Sequence, residues 1–151
     1  MASIDQANWH YGGDFPKGLP KENGGTHIGM YLNWIIDNNL LEKTFLEDSA
    51  EGIQKVKSRK ITGREFLFEY CDEKLLEYFL NEEGLEFTTR YYKRLGTYMY
   101  DYDELLKGKY DSLYEIPNTW ENYDLITTKI TKEFEKWKSR RTKKSWQFWK
   151  K

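Results

Sequence analysis

One amphipathic stripe near the end of the chain constrains the fold more than any other pattern. Between residues 120 and 137, side chains suited to a core recur at steps of three and four: Trp120, Tyr123, Thr127, Ile130, Phe134 and Trp137. This spacing places them on one face of an α-helix. Asn118, followed three residues later by Glu121, has the spacing of a capping box with Asn118 as the cap. The stripe therefore predicts a helix that packs its aromatic face on a core.

Weaker helical patterns precede this stripe. Thr26 can cap a first helix, and a short helix is expected over residues 49–57. Thr62 and Glu65 repeat the capping-box spacing ahead of an apolar run, and we expect the chain to restart a helix at Asp72.

The longest regular pattern runs from Leu85 to Leu106. Its steps of three and four predict one helix or two, with a bend near Gly96. Tyrosines alternate over residues 98–102, which leaves a short strand as the alternative. We favour the helix because the helical spacing extends well beyond those five residues.

These patterns together predict an all-α fold, an irregular bundle of about five helices with an ordered Gly/Pro-rich N-terminal loop. We expect a frayed N-terminus over residues 1–8, a single helical domain over residues 9–138, and a basic aromatic tail over residues 139–151. Aromatic residues make up 17% of the chain, so the core is expected to depend on them.

Charge is distributed unevenly, although the net charge is only −1. Residues 136–151 carry eight basic residues and no acidic one, so residues 1–135 carry −9. Cys71 is the only cysteine, which excludes an intramolecular disulfide, and we expect it to be a buried small hydrophobe. The first residues have no basic start and no apolar stretch, so they do not resemble a secretory signal. The cytoplasm is the expected compartment.

Both histidines lie in one segment, where His10 and His27 flank Asp14. A histidine and an aspartate can act as a base and its orienting partner, or as metal ligands. A third and fourth ligand are missing from the pattern, so we predict no metal site and no cofactor. We favour a structural interpretation, in which Trp9 and its aromatic neighbours hold an ordered loop in place. The side chains of His10, Asp14 and His27 would then form hydrogen bonds with the backbone of this loop.

A tyrosine-rich, acidic stretch is the candidate surface for a protein partner. Tyrosine offers contact area and a hydrogen bond at low entropic cost, which suits interfaces. The candidate partner-binding residues are Tyr98, Tyr100, Asp101, Asp103 and Glu104. The alternative is that these tyrosines fill the core of a small helical protein.

The tail combines basic and aromatic side chains: Lys143, Lys144, Trp146, Phe148 and Trp149. Such a segment suits an interfacial membrane anchor. The same composition could stack on single-stranded nucleic acid, which we consider the weaker interpretation. The tail could also fold back on the acidic residues, or simply extend into solvent.

The segments Trp9–Pro16 and Thr26–Met30, with Asn118–Tyr123 later in the chain, resemble a bacterial family of small uncharacterised proteins. Such proteins are reminiscent of immunity proteins, which are encoded near secreted toxins and neutralise them. The resemblance implies a non-catalytic protein-binding module and supplies no catalytic residue. An acidic protein suits a basic toxin. The alternatives are an enzyme using His10, Asp14 and His27, and a peripheral membrane protein anchored by the tail.

Overall fold

A computed structural model describes the backbone of residues 2–149 and the side chains of residues 2–143. Seven α-helices and one two-stranded sheet make up this part of the chain. In chain order they are β1 (Ser3–Gln6), α1 (Thr26–Asp37), α2 (Lys43–Asp48), α3 (Ala50–Lys57), α4 (Gly63–Tyr70), β2 (Lys74–Leu76), α5 (Glu82–Thr88), α6 (Thr97–Leu106) and α7 (Trp120–Trp149). Short 3-10 turns lie at Ala7–His10, Lys21–Gly25, Glu77–Phe79 and Leu113–Glu115, and a π-helical turn spans Thr89–Arg94.

Helix α1 is the centre of the fold, because its residues from Thr26 to Ile36 are all buried. Trp34 shows how the other helices pack around it. Its ring lies 5.6 Å from the ring of Phe87 in α5 and 5.2 Å from that of Phe134 in α7, centroid to centroid. Its indole nitrogen donates a hydrogen bond of 2.9 Å to the Thr131 hydroxyl. One aromatic side chain therefore joins three helices.

Helices α1 and α4 approach closely because glycines face each other at the contact. A Cβ atom added at Gly29 would lie 2.4 Å from the backbone nitrogen and Cα of Arg64. A Cβ atom at Gly63 would lie even closer to the carbonyl oxygen of Gly29. The Gly63 amide also donates to the Asn33 side-chain oxygen at 3.2 Å. Two backbones thus lie in direct contact without side chains between them.

Several sequence predictions are confirmed. Thr62 and Glu65 form a capping box at the start of α4. Residues 98–102 are helical, and the chain bends at Gly96, whose φ is +63°. Helix α7 begins at Trp120 as the stripe predicts, although the Thr119 hydroxyl rather than Asn118 accepts the hydrogen bond of 3.1 Å from the Asn122 amide in the first turn.

The all-α prediction is wrong in part, because the protein is mostly helical but also contains a small antiparallel sheet. Residues 1–8 were expected to fray, yet β1 pairs with β2 and Ile4 is buried. The expected helix restart at Asp72 is also wrong. Asp72 and Glu73 adopt positive φ angles of 52° and 62°, which turn the chain out of α4 and into β2.

The N-terminal loop is less irregular than its composition predicts. The 3-10 turns at Ala7–His10 and Lys21–Gly25 occupy both ends of the expected loop. Tyr11 donates a hydrogen bond of 2.8 Å to the Glu73 carboxylate, and the Phe15 ring lies 5.1 Å from the Tyr114 ring. Trp9, which was expected to hold the loop, is 57% exposed.

The C-terminal tail continues the backbone of α7 as far as Trp149. Lys143 is exposed. The side chains of Lys144, Trp146, Phe148 and Trp149 lie outside the described residues, so a role of the tail at a membrane or nucleic acid stays a prediction. No helix within residues 2–149 has the length and apolarity needed to cross a bilayer.

The glycine contact between α1 and α4 predicts a large cost for one methyl group. We expect Gly29→Ala to lower the free energy of unfolding by about 3 kcal/mol, because the obstructing atoms are backbone and two helices must separate. Chemical denaturation followed by circular dichroism measures this change. The control is Gly12→Ala, where an added Cβ meets nothing within 4 Å, and we expect a change within about 0.5 kcal/mol. A loss below about 1 kcal/mol at Gly29 would contradict the proposed packing.

Candidate functional site

Five polar side chains converge beneath the surface and are called here the Asp5 cluster: Asp5, His10, His27, Tyr92 and Tyr114. Asp5 lies on β1 and His10 on the 3-10 turn that follows it. His27 belongs to the first turn of α1, Tyr92 to the π-helical turn, and Tyr114 to the 3-10 turn before α7. Five separate segments therefore each contribute one side chain to the cluster.

The Asp5 carboxylate accepts hydrogen bonds on both oxygens. His10 Nε2 lies 2.8 Å from Oδ1, and the Gln6 amide donates to the same oxygen at 2.8 Å. His27 Nε2 lies 3.2 Å from Oδ2, and the Tyr92 hydroxyl donates to Oδ2 at 2.6 Å. Four donors thus compensate one buried carboxylate, as the cost of burying an ion requires.

The two imidazole rings are themselves held in place. His10 Nδ1 lies 2.7 Å from the Tyr114 hydroxyl, and the two histidine rings meet edge to face with centroids 4.5 Å apart. The Tyr98 hydroxyl donates to the backbone carbonyl of His27. Among the described residues, no hydrogen-bond partner reaches His27 Nδ1 or the hydroxyl of Tyr102.

Burial and hydrogen bonding set the charges of the cluster. Burial alone would raise the pKa of Asp5, but the hydrogen bonds from His10 and His27 outweigh it and hold that pKa well below its usual range. Burial lowers the pKa of His27, although its bond to Asp5 opposes the change. Burial and the neighbouring Asp5 charge raise the pKa of Tyr92. The cluster at neutral pH therefore contains a carboxylate, a neutral His27 and a neutral Tyr92.

The structure brings His10 and His27 together around Asp5, whereas Asp14 forms no described hydrogen bond with either histidine. Asp14 is exposed, and the carboxylate between the histidines is that of Asp5. Sequence reasoning missed Asp5 because it assigned residues 1–8 to a frayed end. The one signal that could have found it is proximity, since a second aspartate stands only five residues before His10.

The Asp5 cluster is enclosed rather than open to a substrate. Asp5 is 6% exposed and His27 only 1% exposed, while the His10 side chain is 17% exposed. A general base must reach the proton that it removes, and this enclosure limits such access. The hydrogen bonds of the cluster join β1, α1 and the π-helical turn, while a catalytic role of His10, Asp14 and His27 stays a prediction.

The expected partner surface on α6 is partly buried, which corrects the sequence prediction. Tyr98 is fully buried, and Asp101 accepts a hydrogen bond of 2.6 Å from the buried Tyr91 hydroxyl. Tyr98 stands four residues before the core residue Tyr102, so both share one helix face. Tyr100 remains 65% exposed, and Glu104 is also exposed. Asp103 is half-buried and lies 3.7 Å from the Lys107 amine.

A concave surface lies between α2 and β2, and its lining residues belong neither to the Asp5 cluster nor to α6. This acidic groove has a volume of about 400 Å³, and its lining includes Glu42, Phe45, Asp48, Tyr70, Asp72 and Tyr78. Asp48 and Asp72 are exposed, and Tyr78 is 49% exposed. One lysine, Lys74, also lines the groove and lies 3.5 Å from Asp72.

Cys71 also lines this groove but is poorly suited to chemistry there. Its side chain is buried, and burial raises the pKa of the Cys71 thiol to about 12. The thiolate is the reactive form of cysteine, so this residue is inert near neutral pH. The expectation of a buried small hydrophobe agrees with this position.

Comparison with known proteins assigns a family. Residues 3–116 match the sequence profile of a domain of unknown function, DUF7832. The chain belongs to this family. The matched region contains the whole Asp5 cluster and the whole acidic groove, and it ends before α7 begins. Neither a curated protein nor a solved structure matches the chain.

The hydrogen bond from Tyr92 to Asp5 predicts a measurable stability effect. We expect Tyr92→Phe to lower the free energy of unfolding by about 2 to 3 kcal/mol, because a buried carboxylate loses a donor. The matched control is Tyr31→Phe, which removes a buried 2.8 Å bond to the neutral Thr88 hydroxyl. Its expected cost is about 1 kcal/mol. Equal losses in denaturant unfolding of the two variants would contradict a charged Asp5.

Proposed function

We propose that this DUF7832 protein is a non-catalytic binding module that neutralises a basic bacterial toxin in the cytoplasm, as an immunity protein does. The observation that carries the proposal is the acidic groove. It combines an apolar floor, formed by Phe45 and Tyr70, with the exposed carboxylates of Asp48 and Asp72. A concave apolar surface with charges at its edge is what a protein interface requires.

The charge distribution supports a basic partner. Residues 1–135 carry −9, and this excess attracts a positively charged protein over a distance comparable to the Debye length. Complementary charges mainly increase the association rate and exclude wrong partners. The groove then supplies the short-range contacts, with Tyr78 as the exposed aromatic residue that a partner would cover.

The enclosure of the Asp5 cluster also supports binding over catalysis. An inhibitor needs a rigid surface, since ordering a flexible one on binding costs affinity. Tyr11 on the N-terminal segment bonds Glu73 just before β2, while β1 pairs with β2 itself. The segment that carries the histidines therefore holds in place the strand that lines the groove.

The proposal predicts rescue of a poisoned cell. Co-expression of the wild-type chain should restore growth to bacteria that express the toxin encoded by the adjacent gene. We expect the double variant Asp48→Lys, Tyr78→Ala to bind that toxin at least about 30-fold more weakly, because it loses an aromatic contact and reverses one charge. Growth rescue and titration calorimetry measure the two effects.

The matched control changes the same chemistry on α6. The variant Tyr100→Ala, Glu104→Lys also removes one exposed tyrosine and reverses one exposed carboxylate. We expect it to bind within about threefold of wild type, because rim and non-interface positions contribute little. Loss of binding in the α6 variant alone would move the interface to α6. No rescue by the wild-type chain would overturn the proposed function.

A further inference from the structure

We propose that Asp5, His10 and His27 form a buried site for one divalent transition-metal ion of the zinc type. One ligand atom from each of the three residues lies within 4.8 Å of the other two. The sequence pattern lacked a third and a fourth ligand and therefore predicted no metal site, but the fold adds the Asp5 carboxylate of β1 to the two histidines. The site does not depend on the proposed function, since metal binding is measured without any partner.

The distances match the geometry of such an ion. Bonds of about 2.0 to 2.2 Å from zinc to nitrogen or oxygen place neighbouring ligand atoms of a tetrahedron about 3.3 to 3.5 Å apart. His27 Nε2 lies 3.2 Å from Asp5 Oδ2, and His10 Nε2 lies 2.8 Å from Asp5 Oδ1. Both histidine nitrogens thus lie within about half an ångström of this spacing from an oxygen of Asp5, each from a different oxygen, and the three ligand atoms lie within 4.8 Å of one another.

Surrounding hydroxyl groups are placed to orient the ligands. With the ion on Nε2, a neutral His10 ring carries its proton on Nδ1, where the Tyr114 hydroxyl lies 2.7 Å away and can accept it. The Tyr92 hydroxyl donates to Asp5 Oδ2 at 2.6 Å. Partners of this kind fix the tautomer of a ligating histidine and the direction of a ligating carboxylate.

The donor set selects the class of ion. Two imidazole nitrogens with one carboxylate suit zinc, cobalt and similar borderline ions, whereas calcium and magnesium prefer all-oxygen sites. The Asp5 charge compensates part of the charge of the ion in an interior where His27 is 1% exposed. The His10 ring, with 17% exposure, is the part of the site nearest to solvent and gives the ion its entry path. Bound there, the ion would join β1 to α1.

The direct test titrates Co²⁺ and Zn²⁺ into the full chain, produced without a histidine tag and treated with a chelator. We expect one Co²⁺ per chain, with visible ligand-field absorption that Zn²⁺ removes. Zn²⁺ at a hundredfold excess over its dissociation constant should raise the folding equilibrium constant about a hundredfold. Absence of a one-to-one complex with either ion would overturn the proposal.

Three variants separate a built site from surface binding. His10→Gln should abolish the Co²⁺ spectrum, since it removes a ligand at the most exposed of the three positions. Tyr114→Phe keeps all three ligands and should weaken binding about 10- to 100-fold, because it removes only the partner of His10 Nδ1. Asp14→Asn, at an exposed aspartate of the same segment, should bind as wild type does.

Circular dichroism before each titration shows whether a variant is folded. If His10→Gln does not fold, Tyr114→Phe decides the question, because its ligands are intact. Unchanged Co²⁺ affinity in folded His10→Gln, or in Tyr114→Phe, would show that the ion binds elsewhere. Lost binding in Asp14→Asn would likewise overturn the assignment of Asp5 as the carboxylate ligand.

Discussion

Asp5 brings a negative charge into the interior, and that charge must be met by donors from distant parts of the chain. An isolated buried carboxylate would cost several kcal/mol or change its protonation state. His10, His27 and Tyr92 supply the bonds that prevent this, and they belong to three different elements. The position of β1 is therefore fixed by electrostatics as well as by its pairing with β2. His27 stands in the first turn of α1, so its hydrogen bond to Asp5 also fixes the orientation of the start of this helix.

Helix α1 transmits this constraint to the rest of the molecule. It is buried along almost its whole length, and α3, α4 and α7 pack against it. Gly29 permits the backbone contact with α4, and Trp34 joins α5 to α7. Helix α4 then leads through the turn at Asp72 into β2, which lines the acidic groove. The Asp5 cluster and the acidic groove are thus connected through α1, α4 and β2.

Sequence reasoning succeeded where a pattern was long and failed where it was short. The steps of three and four before Leu106 and after Trp120 extend over many residues, and both regions are helical. Strands β1 and β2 contain four and three residues, which is too few for an alternation to be distinguished from chance. Asp5 was missed for that reason, because its role appears only when β1 pairs and turns the carboxylate inward. Tyr98 was misassigned although its spacing from Tyr102 indicated the shared buried face.

The residues that match the DUF7832 family end before α7, but the hydrophobic core includes residues of α7. The DUF7832 match stops at residue 116, yet the first half of α7 places Tyr123, Ile126, Ile130 and Phe134 in the core. Without this half, Trp34 would lose its contact with Phe134 and its hydrogen bond to Thr131. Burying the faces of α1 and α5 thus requires a helix with an apolar face at this position. Arg141 lies 3.1 Å from Glu86 of α5, and residues 142 and 143 are exposed. The contacts of Trp34 with Phe134 and Thr131 therefore constrain the first half of α7 as closely as they constrain α1 and α5.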